Sequence, residues 1–158
     1  MIDYLNVHPP KKRWRILDVG CGWGISGIYC AKNFAAKVTG LDADDTAFAF
    51  LDFHAELNGV KVITLKSRFE KMTVARLADY DMIIGSDICF WDEVTNALYH
   101  MINRARRLGI KRVVIADPGR SPFRQMAEKY QEKHEVVYDN WSFPHPINIS
   151  GLVLDVRF

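Results

Sequence analysis

The sequence predicts an α/β protein built on a doubly wound, mostly parallel sheet. Short apolar runs typical of buried parallel strands alternate along the chain with segments whose apolar residues recur at helical spacing. The first apolar run, residues 16–19, leads directly into a glycine-rich turn and then a helix. Segments 134–142 and 151–158 alternate between apolar and polar residues, which predicts an antiparallel hairpin around the turn-like residues 144–148.

Length and composition fit one ordinary globular domain. The chain has 158 residues, of which 49% are hydrophobic and 25% charged, and its net charge is +2. We therefore expect residues 1–158 to form a single domain without a strong preference for an acidic partner. No apolar run is long enough to span a membrane, and residues 1–8 lack a signal-peptide pattern. Three cysteines without a C-x-x-C pair predict free thiols in a reducing cytoplasm.

The remaining elements follow in chain order. Residues 1–8 predict a short helix, which Pro9-Pro10 ends. Apolar runs predict the parallel strands, at residues 16–19, 37–42, 61–66, 80–86 and 111–117. Apolar spacing, capping residues and stop signals predict the helices, at residues 25–35, 44–58, 91–108 and 121–133. A loop with a short helix is expected at residues 67–79.

The glycine-rich turn allows two registers. In one, Gly22, Gly24 and Gly27 form the G-x-G-x-x-G of a dinucleotide site, which would bury Asp18 inside the strand at high cost. In the other, Gly20 opens the turn, and Asp18 lies at the carboxyl edge of the sheet, where ligands bind in open α/β folds. The second register is favoured because it places every residue sensibly. It predicts a nucleotide-type cofactor site made of glycines and free helix N–H groups.

The motif Asp18-x-Gly20-x-Gly22-x-Gly24 resembles the cofactor loop of class I, Rossmann-like methyltransferases. The resemblance implies a seven-stranded sheet of order 3-2-1-4-5-7-6 with the last strand antiparallel, and S-adenosyl-L-methionine as cofactor. Asp42 ends the second predicted strand, where an acid can accept hydrogen bonds from both ribose hydroxyls. An acid there would suit NAD equally well, and its alternative role is to cap the next helix.

Further cofactor contacts are implied by position in the related enzymes. Residues after the third strand contact adenine there, which points to Ser67 and Phe69, although Phe69 could equally belong to the core. Cys21 could contact the cofactor through its backbone, whereas a reactive thiol is not expected. The predicted cofactor-binding residues are Asp18, Gly20, Cys21, Gly22, Gly24, Asp42, Ser67, Phe69 and Ser86.

A short motif follows the fourth predicted strand. Asp87-x-x-Phe90 resembles the (D/E)-x-x-(Y/F) motif of the seven-β-strand protein lysine methyltransferases. The resemblance implies that Asp87 and Phe90 lie beside the transferring methyl, and both are predicted to be catalytic. The alternative is that Asp87 caps the helix that follows near Trp91.

A second motif follows the fifth predicted strand. Asp117-Pro118-Gly119-Arg120 is similar to the Gly-Asp-Pro-Gly-Arg segment of the electron-transfer-flavoprotein β-subunit lysine methyltransferases, with Ala116 in place of the first glycine. The resemblance implies a substrate-binding role for Asp117 and Arg120, which we extend to Trp91. The alternative is a tight turn with Arg120 in solvent.

These resemblances, which cover about residues 15–123, imply methyl transfer to a nitrogen, in particular to a protein lysine side chain. Small-molecule N-methylation and cofactor binding without turnover are the alternatives. Basic residues 11–15 and 104–112 lie at strand starts, opposite the ligand crevice, so nucleic acid is not the expected partner. Oligomeric state stays open.

The remaining expectations concern metal binding, the hairpin turn and the N-terminus. The histidines lack metal-ligand spacing, so no metal site is expected, and His145 is a minor candidate proton acceptor. The turn at 143–148 should overhang the crevice. The family usually carries helices before its first strand that help cover cofactor and substrate, and only about 14 residues precede that strand here, so we expect either that Met1 is a late start in a longer gene or that the lid is supplied in another way.

Overall fold

The computed structural model describes residues 1–143 and 148–158. The helices are α1 (Ile2–Val7), α2 (Ile25–Phe34), α3 (Phe48–Leu57), α4 (Val74–Leu77), α5 (Asp92–Arg106) and α6 (Ser121–Gln131). The strands are β1 (Arg15–Val19), β2 (Lys37–Asp42), β3 (Val62–Lys66), β4 (Met82–Ser86), β5 (Arg112–Asp117), β6 (Val136–Phe143) and β7 (Ile149–Arg157). Short 3-10 turns lie at Asp45–Ala47 and Phe69–Lys71.

The described strands form one seven-stranded sheet in the order β3-β2-β1-β4-β5-β7-β6. Strands β1 to β5 pair in parallel, whereas β7 is antiparallel to both β5 and β6. The predicted fold class, strand order and antiparallel last strand are therefore confirmed.

Helices cover both faces of the sheet and create two apolar cores. Side chains of successive β4 residues alternate between them, because strand side chains point to opposite faces. Met82 and Ile84 join the core beneath α1, α2 and α3, and Ile83 joins the core beneath α4, α5 and α6. With both faces buried, the central strands are continuous apolar runs, and this is why the sequence predicted them.

The structure corrects several predicted boundaries. Helix α5 begins at Asp92 and ends at Arg106, and β4 begins at Met82, two residues later than predicted. The hairpin strands β6 and β7 each differ from the predicted spans by one or two residues at their ends. Residues 144–147 of the predicted turn, with His145, lie outside the described residues.

A buried ion pair attaches the N-terminal segment to the sheet. Arg112 of β5 donates from Nη2 to Asp155 Oδ2 of β7 at 2.7 Å and from Nε to Oδ1 at 3.0 Å. The Tyr4 hydroxyl of α1 donates to the same carboxylate at 2.8 Å, and Arg112 Nη1 donates to the His8 carbonyl at 2.8 Å. The predicted short helix α1 is thus a packed element, with Leu5 fully buried.

Within residues 1–143 and 148–158, no helix combines the length and apolarity needed to cross a bilayer.

Candidate active site

Three cavities meet at the carboxyl ends of β1, β2, β4 and β5, where the strand order reverses between β1 and β4. The β2-side cleft, about 420 Å³, is lined by residues that include Asp42, Ser67, Phe69, Ile88 and Phe90. The glycine-loop pocket, about 290 Å³, is lined by Asp18, Gly20, Cys21, Trp23, Ile25, Ser26 and Ser86. The hairpin pocket, about 250 Å³, includes Met1, Asp3, Asp117, Trp141 and Phe143.

The cavities share three lining residues, which places them around one point. Gly20 lines both the β2-side cleft and the glycine-loop pocket. Ser86 lines the glycine-loop and hairpin pockets, and Asp87 lines the β2-side cleft and the hairpin pocket. A ligand that fills the first two cavities would therefore meet a ligand from the hairpin pocket beside the end of β4.

The glycine turn has the second of the two predicted registers. Strand β1 ends at Val19, so Gly20 opens the turn and the dinucleotide register is wrong. Gly20, Gly22 and Gly24 all have positive φ, at 63°, 50° and 77°. At Gly24 a side chain would also meet Leu51, because its Cβ would lie 2.6 Å from the Leu51 Cγ. The turn therefore depends on glycine for both conformation and space.

Asp18 bonds to the start of α2 from the floor of the glycine-loop pocket. Its side chain is almost fully buried, and the Gly27 N–H donates to its Oδ2 at 2.9 Å. Burial raises the pKa of Asp18 to about 7, and the charge of Asp42 adds to this, while the Gly27 hydrogen bond opposes it. One Asp18 carboxylate oxygen therefore accepts a hydrogen bond from α2. The sequence predicted an acid that faces the crevice, but it did not predict this bond to the helix.

Asp42 ties the glycine turn to the end of β2. The Gly22 N–H donates to Asp42 Oδ2 at 2.9 Å, and the Asp44 N–H donates to Oδ1 at 3.1 Å. Capping as an alternative role for Asp42 is wrong, since Asp44 caps the following 3-10 turn by accepting from the Thr46 N–H. Both Asp42 oxygens thus accept a hydrogen bond from a backbone N–H, and the residue lines the β2-side cleft.

The other predicted cofactor residues divide into two groups. Ser67 and Phe69 line the β2-side cleft, and Phe69 also packs against the core, as the alternative role predicted for it requires. Ser86 lies across the glycine-loop pocket, with its Oγ 3.2 Å from the Ser26 Oγ. Ile88 was missed; it packs against Gly20 at the base of the cleft, and only its apolar character could have suggested this.

The structure corrects the predicted backbone contact by Cys21. Its N–H donates to the Leu41 carbonyl at 3.1 Å, and its carbonyl accepts from the Gly24 N–H at 2.8 Å. Both backbone groups are thus used in hydrogen bonds within the protein, and Cys21 lines the glycine-loop pocket. Burial raises the pKa of the thiol to about 12, so it stays protonated and unreactive at neutral pH.

Asp87 turns the chain away from β4 in a left-handed conformation, with φ of 58°. Its N–H donates to the Ala116 carbonyl at 2.8 Å, and its side chain is 58% exposed. The predicted alternative of a helix cap is wrong, because α5 begins at Asp92 with Trp91 as the N-cap. The first turn of α5 carries its own acids, which suit the positive end of the helix.

Arg120 contacts three groups from two segments, the one after β4 and the one at the end of β5. Its Nη1 forms ion pairs with Asp87 and with Asp117 Oδ2, the latter at 2.9 Å. Its guanidinium carbon lies 4.3 Å from the centre of the Phe90 ring, within cation–π range. The alternative of an arginine free in solvent is therefore wrong.

Asp117 holds Arg120 in place by accepting from its backbone N–H and its guanidinium. Its carboxylate is fully buried and accepts from the Gly119 N–H and the Arg120 N–H, each at 2.8 Å, besides the Arg120 guanidinium. The predicted substrate contact by Asp117 is corrected to this positioning role. Trp91 is 68% exposed beside Phe90, and it is not among the described residues that line the three cavities.

Sequence reasoning missed part of the wall of the hairpin pocket. Met1 and Asp3 reach it from the N-terminus, and the Trp141 indole N–H donates to Asp3 Oδ2 at 2.8 Å. Phe143, the first residue of the turn predicted to overhang the crevice, lines the pocket, and so does Ile149. No local pattern indicated that residues 138 positions apart in sequence meet here. In the part of the chain that the structure describes, no cluster of His, Cys, Asp or Glu is arranged to hold a metal.

Comparison with known proteins agrees with this geometry. A family model described as a methyltransferase domain matches residues 16–109, more than half of the chain. The chain therefore belongs to the methyltransferase domain family. Together with the strand order, this match confirms the predicted class I, S-adenosylmethionine-dependent methyltransferase domain.

Two curated relatives differ in the acceptor that their names state. The chain is 28% identical over 109 residues to the electron transfer flavoprotein beta subunit lysine methyltransferase of Xenopus laevis, covering 69% of this chain and 44% of that protein. It is 34% identical over 83 residues to the ubiquinone biosynthesis O-methyltransferase of Neisseria meningitidis serogroup C, covering 52% and 35%. The chain thus spans less than half the length of these two relatives.

Among solved structures, that of M. capricolum TrmK in complex with S-adenosylhomocysteine has the same fold. The TM-score is 0.68 at 10% sequence identity, and the match covers 99% of this chain and 66% of that chain.

Proposed function

We propose that the protein transfers the methyl group of S-adenosylmethionine to an amine nitrogen, in particular that of a protein lysine side chain. One observation carries the choice of an amine. Asp87, which lines two of the three cavities, pairs with the Arg120 guanidinium, and that cation lies between the carboxylates of Asp87 and Asp117 and against the Phe90 ring, although Arg120 itself is not among the described residues that line the cavities. Such a site attracts an alkylammonium group and repels an acidic one.

The residues around the first two cavities fit the cofactor. In the β2-side cleft, Asp42 would accept hydrogen bonds from the ribose, and Ser67 and Phe69 would border the adenine. In the glycine-loop pocket, Gly20 would let the ligand approach the backbone, and a Cβ at this position would lie 2.5 Å from the Ile88 Cγ2. The volume of about 420 Å³ is within the range of small-molecule sites. When bound, S-adenosylmethionine supplies an electrophilic methyl on a sulfonium.

The protein contributes by positioning the acceptor. The amine lone pair forms the new N–C bond as the S–C bond breaks, and the amine proton leaves to water. A free lysine with a pKa near 10.4 is only about a thousandth neutral at pH 7.4, and deprotonating it costs roughly 4 kcal/mol. Asp87 would first bind the ammonium and then orient the neutral amine, so its role is electrostatic and geometric. Phe90 would flank the acceptor on one side.

The relatives support a protein acceptor only in part. The lysine methyltransferase of Xenopus laevis shares the larger aligned region of the two relatives. The Asp117-Pro118-Gly119-Arg120 segment, which resembles a motif of the lysine methyltransferase family, is the segment that holds Arg120. We propose further that residues 1–158 act as one domain and that the protein works in the cytoplasm, which its three free thiols suit.

Two measurements test the proposal. Titration calorimetry should detect S-adenosylhomocysteine binding and no comparable NAD binding; binding of NAD alone would overturn the cofactor assignment. Radiolabelled S-adenosylmethionine is then added with the protein to a lysate that has been split into protein and small-molecule fractions. Label in a protein band, retained after acid hydrolysis as methyl-lysine, is expected. Label only in small amines would favour small-molecule N-methylation, and cofactor binding without any label would favour a binding protein.

A further inference from the structure

We propose that Arg120 is an internal competitor for the acceptor's ammonium group: its guanidinium holds the place on Asp87 and Phe90 that the substrate cation takes. The proposal rests on the proposed function in one respect, that the acceptor is an amine. It assigns Arg120 a role opposite to that of a residue that attracts substrate. Arg120 would set a threshold that a cation must exceed in order to bind.

The contacts of Arg120 are those that an alkylammonium ligand needs. The guanidinium pairs with the Asp87 carboxylate at the junction of the β2-side cleft and the hairpin pocket. It also lies over the Phe90 ring at 4.3 Å. A second cation at the same carboxylate would be repelled by the first, since like charges a few ångströms apart in a partly enclosed site disfavour each other. Entry of a substrate ammonium therefore requires that the guanidinium leave Asp87.

The two carboxylates differ in how tightly they hold Arg120. Asp117 is fully buried and holds both the guanidinium and the Arg120 N–H, so its pairing fixes the residue at the start of α6. The Asp87 side chain is 58% exposed, and its pairing with Arg120 is one that solvent weakens. Arg120 can thus give up Asp87 while Asp117 keeps its partner. Asp87 would then pair with the ammonium in place of the guanidinium, and the buried Asp117 carboxylate would keep Arg120 as its partner.

Arg124 provides a matched control. It lies four residues further on, in the first turn of α6, and its Nε donates to the Gly119 carbonyl at 2.8 Å. Arg124 and Arg120 thus belong to the same turn and carry the same charge, but the guanidinium of Arg120 is the one that pairs with Asp87. A general change in surface charge would affect both variants alike, whereas direct competition would affect only Arg120.

The test measures cation binding rather than turnover. The probe is n-butylammonium, with n-butanol as the neutral control, titrated by calorimetry or NMR into the protein with and without S-adenosylhomocysteine. The variants are R120M, which keeps an apolar stem over Phe90, and R120Q, with R124M as the control. We expect R120M and R120Q to bind n-butylammonium about tenfold more tightly than the wild type, while R124M and all n-butanol titrations are unchanged. Methylguanidinium should displace n-butylammonium from R120M.

Each outcome decides the proposal. Equal or weaker n-butylammonium binding by a folded R120M or R120Q would overturn it, as would an equal gain in R124M. The double variant D87N/R120Q should lose the gain, and if it keeps the gain the site is elsewhere and the proposal fails. If R120M and R120Q both unfold, R120K takes their place, because its ammonium lacks the planar fork that pairs with two carboxylates. Tighter n-butylammonium binding by R120K than by the wild type then supports the proposal, and equal or weaker binding overturns it. The proposed function fails separately, through absent cofactor binding or absent methyl transfer, because the n-butylammonium comparison needs neither.

Discussion

The two halves of the crevice are built in different ways. On the β1–β2 side, carboxylates hold backbone N–H groups: Asp42 binds Gly22, and Asp18 binds Gly27. On the β4–β5–β7 side, side-chain charges hold one another, with Arg120 between two carboxylates and an aromatic ring. Backbone contacts fix a shape, whereas a partly exposed ion pair can change partners. The β1–β2 side thus suits a ligand of one fixed shape, and the β4–β5–β7 side suits a cation that binds and dissociates.

The largest change in stability is expected at the buried ion pair between Arg112 of β5 and Asp155 of β7. Asp155→Ala should lower the free energy of unfolding by about 3–5 kcal/mol, because it leaves Arg112 charged, buried and unpaired. Chemical denaturation measures this. The control on the β2–β3 side is D45A, which removes the exposed Asp45–Lys66 pair and should leave stability almost unchanged. Similar losses in both variants would contradict the asymmetry between the two halves.

The β1–β2 side should show the stronger pH dependence through Asp18. The pKa of Asp18 is raised to about 7 in the folded protein, so the folded state binds this proton more tightly than the unfolded chain. The resulting stability is present below about pH 4 and is lost as the pH rises to about 7. D18N keeps an oxygen for the Gly27 N–H and lacks the proton, so we expect it to remove this decline, about 4 kcal/mol for a rise of about three pKa units at ~1.4 kcal/mol each.

Denaturation curves of the wild type and D18N at several pH values test this prediction. The two proteins should differ most in slope between pH 4 and 7, with D18N more stable relative to the wild type at pH 7.5 than at pH 4.5. Parallel curves over that interval would show that Asp18 titrates normally in the folded protein.

Cofactor affinity should depend on Asp42. Asp42→Ala removes the proposed ribose contact and the bond to the Gly22 N–H, and hydrogen bonds to a charged acceptor contribute about 1.5–3 kcal/mol. The Kd for S-adenosylhomocysteine should rise more than tenfold in calorimetry. D44A is the control, since Asp44 caps the neighbouring 3-10 turn. An unchanged Kd in D42A at unchanged melting temperature would assign Asp42 to the turn alone.

The smallest change tests the β4–β5 side directly. Asp87→Asn should keep the fold and most of the cofactor affinity, while methyl transfer falls about tenfold because the charged contact to the acceptor is lost. D92N, in the first turn of α5, is the matched control and should retain activity. Full activity of D87N would remove Asp87 from the proposed catalytic residues.

The β1–β2 side of the crevice could be predicted from sequence because the residues that shape it are close together in the chain. The glycine turn, its register and the acid at the end of β2 lie within short segments whose backbone geometry follows from residue type. The bond from Gly27 to Asp18 was not predicted, because it depends on how closely α2 packs on β1.

The apolar runs of the sequence by themselves determined the strands and the position of each motif at a strand end, and the resemblance implied the order of the strands in the sheet. Only the tertiary structure decided what those motifs touch. Arg120 and Asp87 lie 33 positions apart, and Asp3 and Trp141 lie 138 apart, so their meeting depends on the packing of β4, β5, β7 and α1. A local sequence pattern indicates backbone conformation and burial. Which charged side chains pair with each other depends on the distances between them, and those distances are fixed only when the sheet assembles.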